Sequence, residues 1–449
     1  MADRAFHHAL KILDEVCMGC THCIQACPTE ALRVINGKAR LSPDRCVDCG
    51  KCMQVCPVDA IIIEQDDFTN ILKYRARVAL VPAVLIGQFP RNYSTRKIYS
   101  GILEQGFTHV YEAEHGVSIL IEKINEYVAG LSEVKPVISS FCPAIVRLIQ
   151  VRFPNLVDNI MLLKAPLDLA ALSFKKELME RGYNSNEIGI FYITPCAAKI
   201  AAIKSPVGEK SSPIDGVINL DLMFNKVYAG FKKEEKSTCI VPEKEQLRAE
   251  EMNWSLTGGE AKYIHGRCLS IDGIQNAIEF LEQIENGTEV NYDFIEIRAC
   301  DESCAGGILT AANRFLTSER LHERALKYES DKLEGKIFDN KTIDKHKEFV
   351  TQQIGIENIE SRSMLKLDND MEAAMGKMEK IRKMTSYLPG IDCGACGAPT
   401  CKALAEDIAQ GKANTIDCIF VQNTLNSRPG KAEKAEKIWG KGRFDNLIP

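Results

Sequence analysis

Between residues 77 and 330 the chain alternates short, almost wholly apolar runs with longer segments in which apolar residues recur every three or four positions. RVALVPAVLI, KPVISSF, EIGIFYIT and YDFIEIRAC read as strands, with the run Val78 to Gly87 fitting a buried one. SILIEKINEYVAGL and IQNAIEFLEQIENG carry the period of amphipathic helices, so this stretch predicts α/β units. The N-terminal segment MADRAFHHALKILDEV reads as an amphipathic helix with charges through it. From about 331 to 388 the sequence turns polar and helical, and Met371, Met375, Met378, Ile381 and Met384 fall at spacings of four and three. Such a stripe is read as packing rather than as a ligand surface.

At ~150 residues per domain, the 449 residues predict about three domains. Basic and acidic residues nearly balance, 56 against 61 for a net charge of −5, which leaves no electrostatic footprint for nucleic acid. The longest apolar run is about half of a bilayer span and contains a proline, which excludes membrane insertion by that segment. The N-terminus lacks the apolar core and cleavage site of a signal peptide, so the expected compartment is cytoplasmic. The 18 cysteines are too sparse for a disulfide scaffold and, in a reducing compartment, point to metal ligation.

Eight of the cysteines lie within residues 17–56, six between 142 and 304, and four within 393–418. The first group is an internal repeat: CMGCTHCIQACP at Cys17–Pro28 recurs as CVDCGKCMQVCP at Cys46–Pro57. C-x2-C-x2-C-x3-C-P is the bacterial ferredoxin signature, in which the fourth cysteine of each run serves the other run's [4Fe–4S] cluster. One cluster is expected on Cys17, Cys20, Cys23 and Cys56, the other on Cys46, Cys49, Cys52 and Cys27. Two zinc sites are the alternative, which the prolines and the interlocked repeat disfavour.

In PGIDCGACGAPTCKALAEDIAQGKANTIDC, Cys393, Cys396 and Cys401 occupy a glycine-rich loop, with Cys418 beyond a helical stretch. This segment resembles the small Fe–S domain of the ferredoxin-like subunit of Rnf complexes and of corrinoid iron–sulfur proteins, which implies a further [4Fe–4S] cluster. A zinc knuckle is the alternative.

Cys142, Cys196, Cys300 and Cys304 come from three segments, SSFCPAI, ITPCAAK and RACDESCAGG, and each segment ends a β-run. Four thiolates gathered at strand ends make a soft-metal site, and the company of other clusters suggests iron. Here the chain resembles the large subunit of [FeFe] hydrogenases, whose segments have the forms TSCCP, PCxxK and CxxxC followed by glycines. It is most similar to a divergent branch, thought to include hydrogen-sensing members, with SxxCPA, PCxAK and CxxxCxGG followed by Asn-Arg. The resemblance implies that Cys142, Cys196 and Cys300 hold a [4Fe–4S] cubane and that Cys304 bridges it to a diiron subsite, together an H-cluster. Lys199 would pair with a cyanide of that subsite, and Gly306 and Gly307 would let the backbone approach it. A cubane alone, completed by Cys304, is the alternative.

Three departures from the family bear on turnover. Phe141 replaces the proton-relaying cysteine, Ala202 the next glutamate, and Arg298 a methionine. Asp301 and Glu302 read as exposed acids rather than a substitute relay, Cys239 and Cys268 as ordinary thiols, and His115 as a surface histidine. The tail around Trp439 reads as a solvated terminus.

The expected fold is multidomain α+β and α/β, with a dicluster ferredoxin module at 1–76, a hydrogenase-like α/β domain at 77–330, a helical linker at 331–388, a small helical Fe–S domain at 389–425 and a tail at 426–449. The expected function is electron exchange between an H-cluster-like site and redox protein partners, with H2 as a candidate substrate. The alternative is a non-catalytic electron-transfer or regulatory subunit of an oxidoreductase complex.

Overall fold

The computed structural model describes residues 6–130, 135–231, 246–288, 291–334, 342–362, 367–368 and 370–425. Cys239 and the tail with Trp439 lie outside them. Two compact units divide the chain: Met1–Leu10, Val47–Gly50 and Ile63–Arg362 form one, and Lys11–Cys46, Lys51–Ile62 and Ser363–Pro449 the other. Among the described residues no helix is long and apolar enough to cross a membrane.

The strands, in chain order, are β1 Leu10–Ile12, β2 Leu32–Ile35, β3 Lys38–Leu41, β4 Ile61–Ile63, β5 Ala76–Val81, β6 His109–Glu112, β7 Val137–Ile138, β8 Ile188–Thr194, β9 Gly216–Asn219, β10 Cys268–Ile271 and β11 Phe294–Ile297. In the larger unit β6-β5-β8-β9 form one parallel sheet and β10-β11-β7 a second. All seven residues of β8 are buried, the continuous apolar run of a parallel strand covered on both faces. Leu85, Ile98, Ile193, Met223 and Leu321 belong to the core around the first sheet, and Leu120, Trp254, Phe294 and Val350 to the core around the second.

The run from Val78 to Gly87 is strand only in its first half. Pro82 has no N–H to continue a ladder, and the chain turns there into the helix Ala83–Gln88. Buried Gln88 then fixes a distant loop, accepting from the N–H groups of Ala311 and Ala312 at 3.0 and 2.7 Å and donating to Thr317 Oγ1 at 3.2 Å.

From Phe6 on, the N-terminal segment is not a helix. Leu10–Ile12 is a strand paired with β4, extended by Glu64 N–H on Ala9 O and Leu13 N–H on Ala60 O, both 2.8 Å. Leu10 is buried and Lys11 exposed, so the tertiary ladder selects a period of two over the helical pattern.

In the smaller unit β2 and β3 form an antiparallel hairpin through Asn36 and Gly37, both at positive φ, as a type I′ turn requires. The methionine stripe lies on the helix Met371–Tyr387, but among the described residues only its C-terminal end packs: Ile381 and Met384 reach the small core of Leu388, Leu404 and Val421. Met371, Met375 and Met378 are 78, 68 and 64% exposed, so the packing reading fails for them because that core ends short of the helix's first turns.

Candidate metal centres

Cys142, Cys196 and Cys300 each follow the end of a parallel strand, β7, β8 and β11. Cys142 and Cys196 are the N-cap residues of the helices Pro143–Arg152 and Ala197–Lys204, so both thiols sit at a helix N-terminus. Cys304 is carried by the short 3-10 turn Ser303–Gly306 and tied by its N–H to Ser255 O at 3.1 Å. The turn is reached through two successive left-handed residues, Glu302 and Ser303, at φ 60° and 51°, a conformation that costs ~1–3 kcal/mol at a non-glycine position. Asp272 Oδ2 accepting from Glu302 N–H at 2.8 Å and a Thr257–Ser303 hydroxyl pair at 3.0 Å hold it there.

Gly306 and Gly307 serve close backbone approach, though to protein. A Cβ would lie 1.9 Å from Asp301 O at Gly306 and 2.5 Å from Pro195 O at Gly307. Leu309 N–H donates to the same Pro195 O at 2.9 Å, which seats the Cys304 turn beside the residue preceding Cys196.

Burial pushes the Cys196 thiol up to about 12, with the Lys199 ammonium opposing and the Cys304 and Cys142 thiols adding to it. Cys300 is likewise raised well above the ordinary thiol value, again by burial and then by Cys196, Cys142, Cys304 and Cys49. Cys196 and Cys300, which resist ionisation alone, would become thiolates on a cation, and four converging thiols are the donor set of a soft metal such as iron. The Lys199 Nζ lies 3.5 Å from Cys304 Sγ and 3.4 Å from the Tyr192 hydroxyl. Burial alone would lower its pKa, but Cys304, Tyr192, Cys196 and Glu114 together hold the ammonium well above the ordinary value.

Carboxylates surround this set that the motifs do not reveal. Arg298 is buried and ion-paired with Glu260, with Glu296 Oε1 at 3.6 Å from its Nε. Glu260 also accepts from Ser139 Oγ at 2.7 Å, and Glu296 from the N–H groups of Glu260 and Ala261 at 3.0 Å. Glu114 accepts from Ser255 Oγ at 2.9 Å and Ala83 N–H at 3.0 Å, and burial raises its carboxyl to about 7. The one sequence signal was Glu296 itself, an acid inside the apolar run FIEI. His115 is no surface histidine: it is 1% exposed, its ring 4.5 Å from that of Tyr111 and its Nδ1 3.9 Å from Glu251. Asp301 is partly exposed and paired with Arg314 at 3.4 Å. Cys268 donates its thiol to Ile264 O at 3.4 Å. Phe141 is buried against Trp254, ring centroids 5.9 Å apart. It shares with Lys199 and Ala202 the wall of a cavity of about 100 Å³ that none of the four cysteines lines.

In the smaller unit Cys17, Cys20, Cys23 and Cys56 surround a cavity of about 10 Å³. Burial, then Cys20 and Cys17, raise the Cys23 thiol to about 11. The internal repeat persists in the hydrogen bonds: Ala31 N–H donates to Cys27 Sγ and Ala60 N–H to Cys56 Sγ, both at 3.2 Å and both four residues on. Ala39 N–H adds a bond to Cys17 Sγ at 3.3 Å, so sulfurs here are set up as acceptors, the role of a thiolate bound to iron. The C-terminal thiols also converge. Burial raises Cys396 and Cys418, with Cys418 and Cys393 acting on the first and Cys401 and Cys393 on the second.

Thiol quartets with N–H groups on their sulfurs, together with a half-buried lysine on a thiol at strand ends, have the donor chemistry of an iron–sulfur protein. The model of the iron only hydrogenase large subunit, C-terminal domain, matches residues 76–265 and 223–308, together just over half of the chain, and the chain belongs to that family. A 4Fe-4S dicluster domain matches residues 10–65 and an Fe-S cluster domain residues 388–420.

Among curated proteins, the NADP-reducing hydrogenase subunit HndD of Solidesulfovibrio fructosivorans is 24% identical over 209 residues, 42% of this chain and 31% of the relative. An uncharacterized protein of Methanocaldococcus jannaschii is 35% identical over 66 residues, 14% of this chain and 30% of its own. The chain thus spans about a third of the length of these relatives. Similar solved structures include the [FeFe]-hydrogenase HydA(ΔEFG), at 14% identity and TM-score 0.48 over 66% of this chain and 98% of the other. A variant of HydA1 from Chlamydomonas reinhardtii has the same values.

Proposed function

We propose that this chain is an electron-transfer protein with four [4Fe–4S] clusters, held by Cys17, Cys20, Cys23 and Cys56; by Cys46, Cys49, Cys52 and Cys27; by Cys142, Cys196, Cys300 and Cys304; and by Cys393, Cys396, Cys401 and Cys418. Cys304 also carries a diiron subsite, and electrons pass between it and a redox protein or the other subunits of an oxidoreductase complex in an anaerobic cytoplasm. The observation that carries this reading is the Lys199 ammonium at 3.5 Å from Cys304 Sγ. A half-buried ammonium at a thiol is costly unless an anionic group faces it, and a cyanide-bearing subsite beside Cys304 is such a group.

When bound, the diiron unit supplies the site at which H2 is made or split. The surrounding side chains favour slow chemistry or sensing over bulk turnover. Phe141 carries no exchangeable proton, Ala202 offers no next station, and Arg298 keeps its charge on Glu260 and Glu296.

These same three residues favour one second reading, a cubane alone in an electron-transfer or regulatory subunit. Infrared spectra and iron counts on protein matured anaerobically with the hydrogenase assembly machinery separate the two. Carbon monoxide and cyanide stretching bands, with iron above the sixteen per chain of four cubes, support the first. Sixteen irons without those bands leave the second.

A further inference from the structure

The C-terminal cysteine loop does not stand apart from the ferredoxin repeat. Val34 N–H on β2 donates to Gly397 O at 2.8 Å, and Gly397 lies one residue beyond Cys396. The approach is close enough that a Cβ at Gly397 would lie 2.1 Å from Val34 O, and its φ of +85° also suits glycine. Val34 in turn lines the cavity bounded by Cys17, Cys20, Cys23 and Cys56. A second contact runs from Gln25, between Cys23 and Cys27, whose Nε2 donates to Cys393 O at 3.4 Å.

Charged pairs lock this arrangement on either side. Arg33 binds Asp407 at 2.5 Å, Arg45 binds Glu406 at 2.7 Å, and Thr400 Oγ1 donates to Glu30 Oε1 at 3.1 Å. Arg33 is itself 8% exposed and donates to the carbonyls of Glu30 and Leu32 at 2.8 and 3.0 Å. Partly buried, hydrogen-bonded pairs of this kind fix register rather than merely adding attraction.

We propose that the Cys393, Cys396, Cys401 and Cys418 cluster exchanges electrons with the protein through the Cys17, Cys20, Cys23 and Cys56 cluster specifically, across the Val34–Gly397 hydrogen bond. The inference rests on the reading that both thiol sets hold [4Fe–4S] clusters. Each transfer is one electron: one cube goes from its reduced to its oxidised state as the other does the reverse, with no proton and no bond made or broken. Electron tunnelling weakens exponentially with separation, so the cluster seated on the loop across β2 is the natural neighbour. Cys393 is the exposed member of its set, which places the C-terminal cluster at the outer end of the path.

Paramagnetic resonance of the fully reduced full-length protein tests this. Neighbouring reduced clusters split each other's signals by dipolar interaction. Cys396→Ser should lower iron by about one cluster's worth and remove one signal; if iron and spectrum stay unchanged, the cluster reading falls and the proposal falls with it. With that cluster established, Cys20→Ser should abolish the splitting of the C-terminal signal, whereas Cys52→Ser should leave it. The reverse pattern, or a C-terminal signal unsplit in the unaltered protein, overturns the route while leaving both clusters in place. Gly397→Val should slow re-equilibration between the two clusters after flash reduction, and Gln25→Ala, on an exposed side chain, should do so without disturbing the fold. Unchanged kinetics in both variants would also overturn the route.

Discussion

Arg147 Nη1 lies 2.5 Å from Asp48 Oδ2, with both side chains closed to water. Asp48 sits between Cys46 and Cys49, and Arg147 stands five residues into the helix that begins after Cys142. The pair therefore fixes the Cys49 loop against the helix whose N-cap is Cys142. The same carboxylate also meets His8 Nδ1 at 2.8 Å and Ala9 N–H at 3.1 Å.

Asp48→Ala should destabilise the protein by about 3–5 kcal/mol, because it leaves a guanidinium buried without its carboxylate. Adding Arg147→Met should recover most of that loss. Anaerobic denaturant titrations of the single and double variants check both, and equal losses would mean that the pair contributes only packing.

Arg298→Met restores the family's usual side chain but should not restore its behaviour. Glu260 and Glu296 would be left as buried acids without a cation, at a cost of about 3–5 kcal/mol. Glu260→Gln and Glu296→Gln added to Arg298→Met should return the unfolding midpoint towards its starting value. A triple variant no better than the single one would separate Arg298 from both carboxylates.

Phe141→Cys places a proton-carrying group where the present ring carries none. If the diiron unit is bound and proton delivery limits it, hydrogen evolution from a reduced dye should rise by about 100-fold or more, the usual range for a positioned acid–base group. Turnover unchanged in a variant that retains its infrared bands would place the limit elsewhere.

Glu114 gives a pH dependence of definite sign. Its carboxyl is raised from 4.5 to about 7 by burial, so between those values the folded chain keeps a proton that the unfolded chain has lost. Unfolding then releases a proton, and stability falls as pH rises through that window by ~3 kcal/mol before levelling above 7. Glu114→Gln should make the fall between pH 4.5 and 7 shallower, leaving the share of Glu260 and Asp168, which burial raises to about 7 and about 6. An unchanged slope would assign the whole effect to those other groups.

Much of the architecture could be read from the chain because its signals are local. Strand-ending cysteines, a repeated twelve-residue run and apolar strands between amphipathic helices depend on near neighbours in sequence. The carboxylates around Arg298 do not: Glu260 and Glu296 reach it from separate segments, and nothing in TGGE distinguishes a buried acid from a loop residue. His115, between two acids and a glycine, looked exposed for the same reason. Leu10–Ile12 followed its ladder partner, more than forty residues away, rather than its own helical spacing.

The bond between Val34 and Gly397 also sets an order of events in synthesis. At ribosomal rates of about 5–20 residues per second, Val34 emerges roughly 20 to 70 seconds before the loop that covers it. For that interval Val34 N–H has no Gly397 carbonyl to bond, so this closure of the loop over β2 comes late in synthesis.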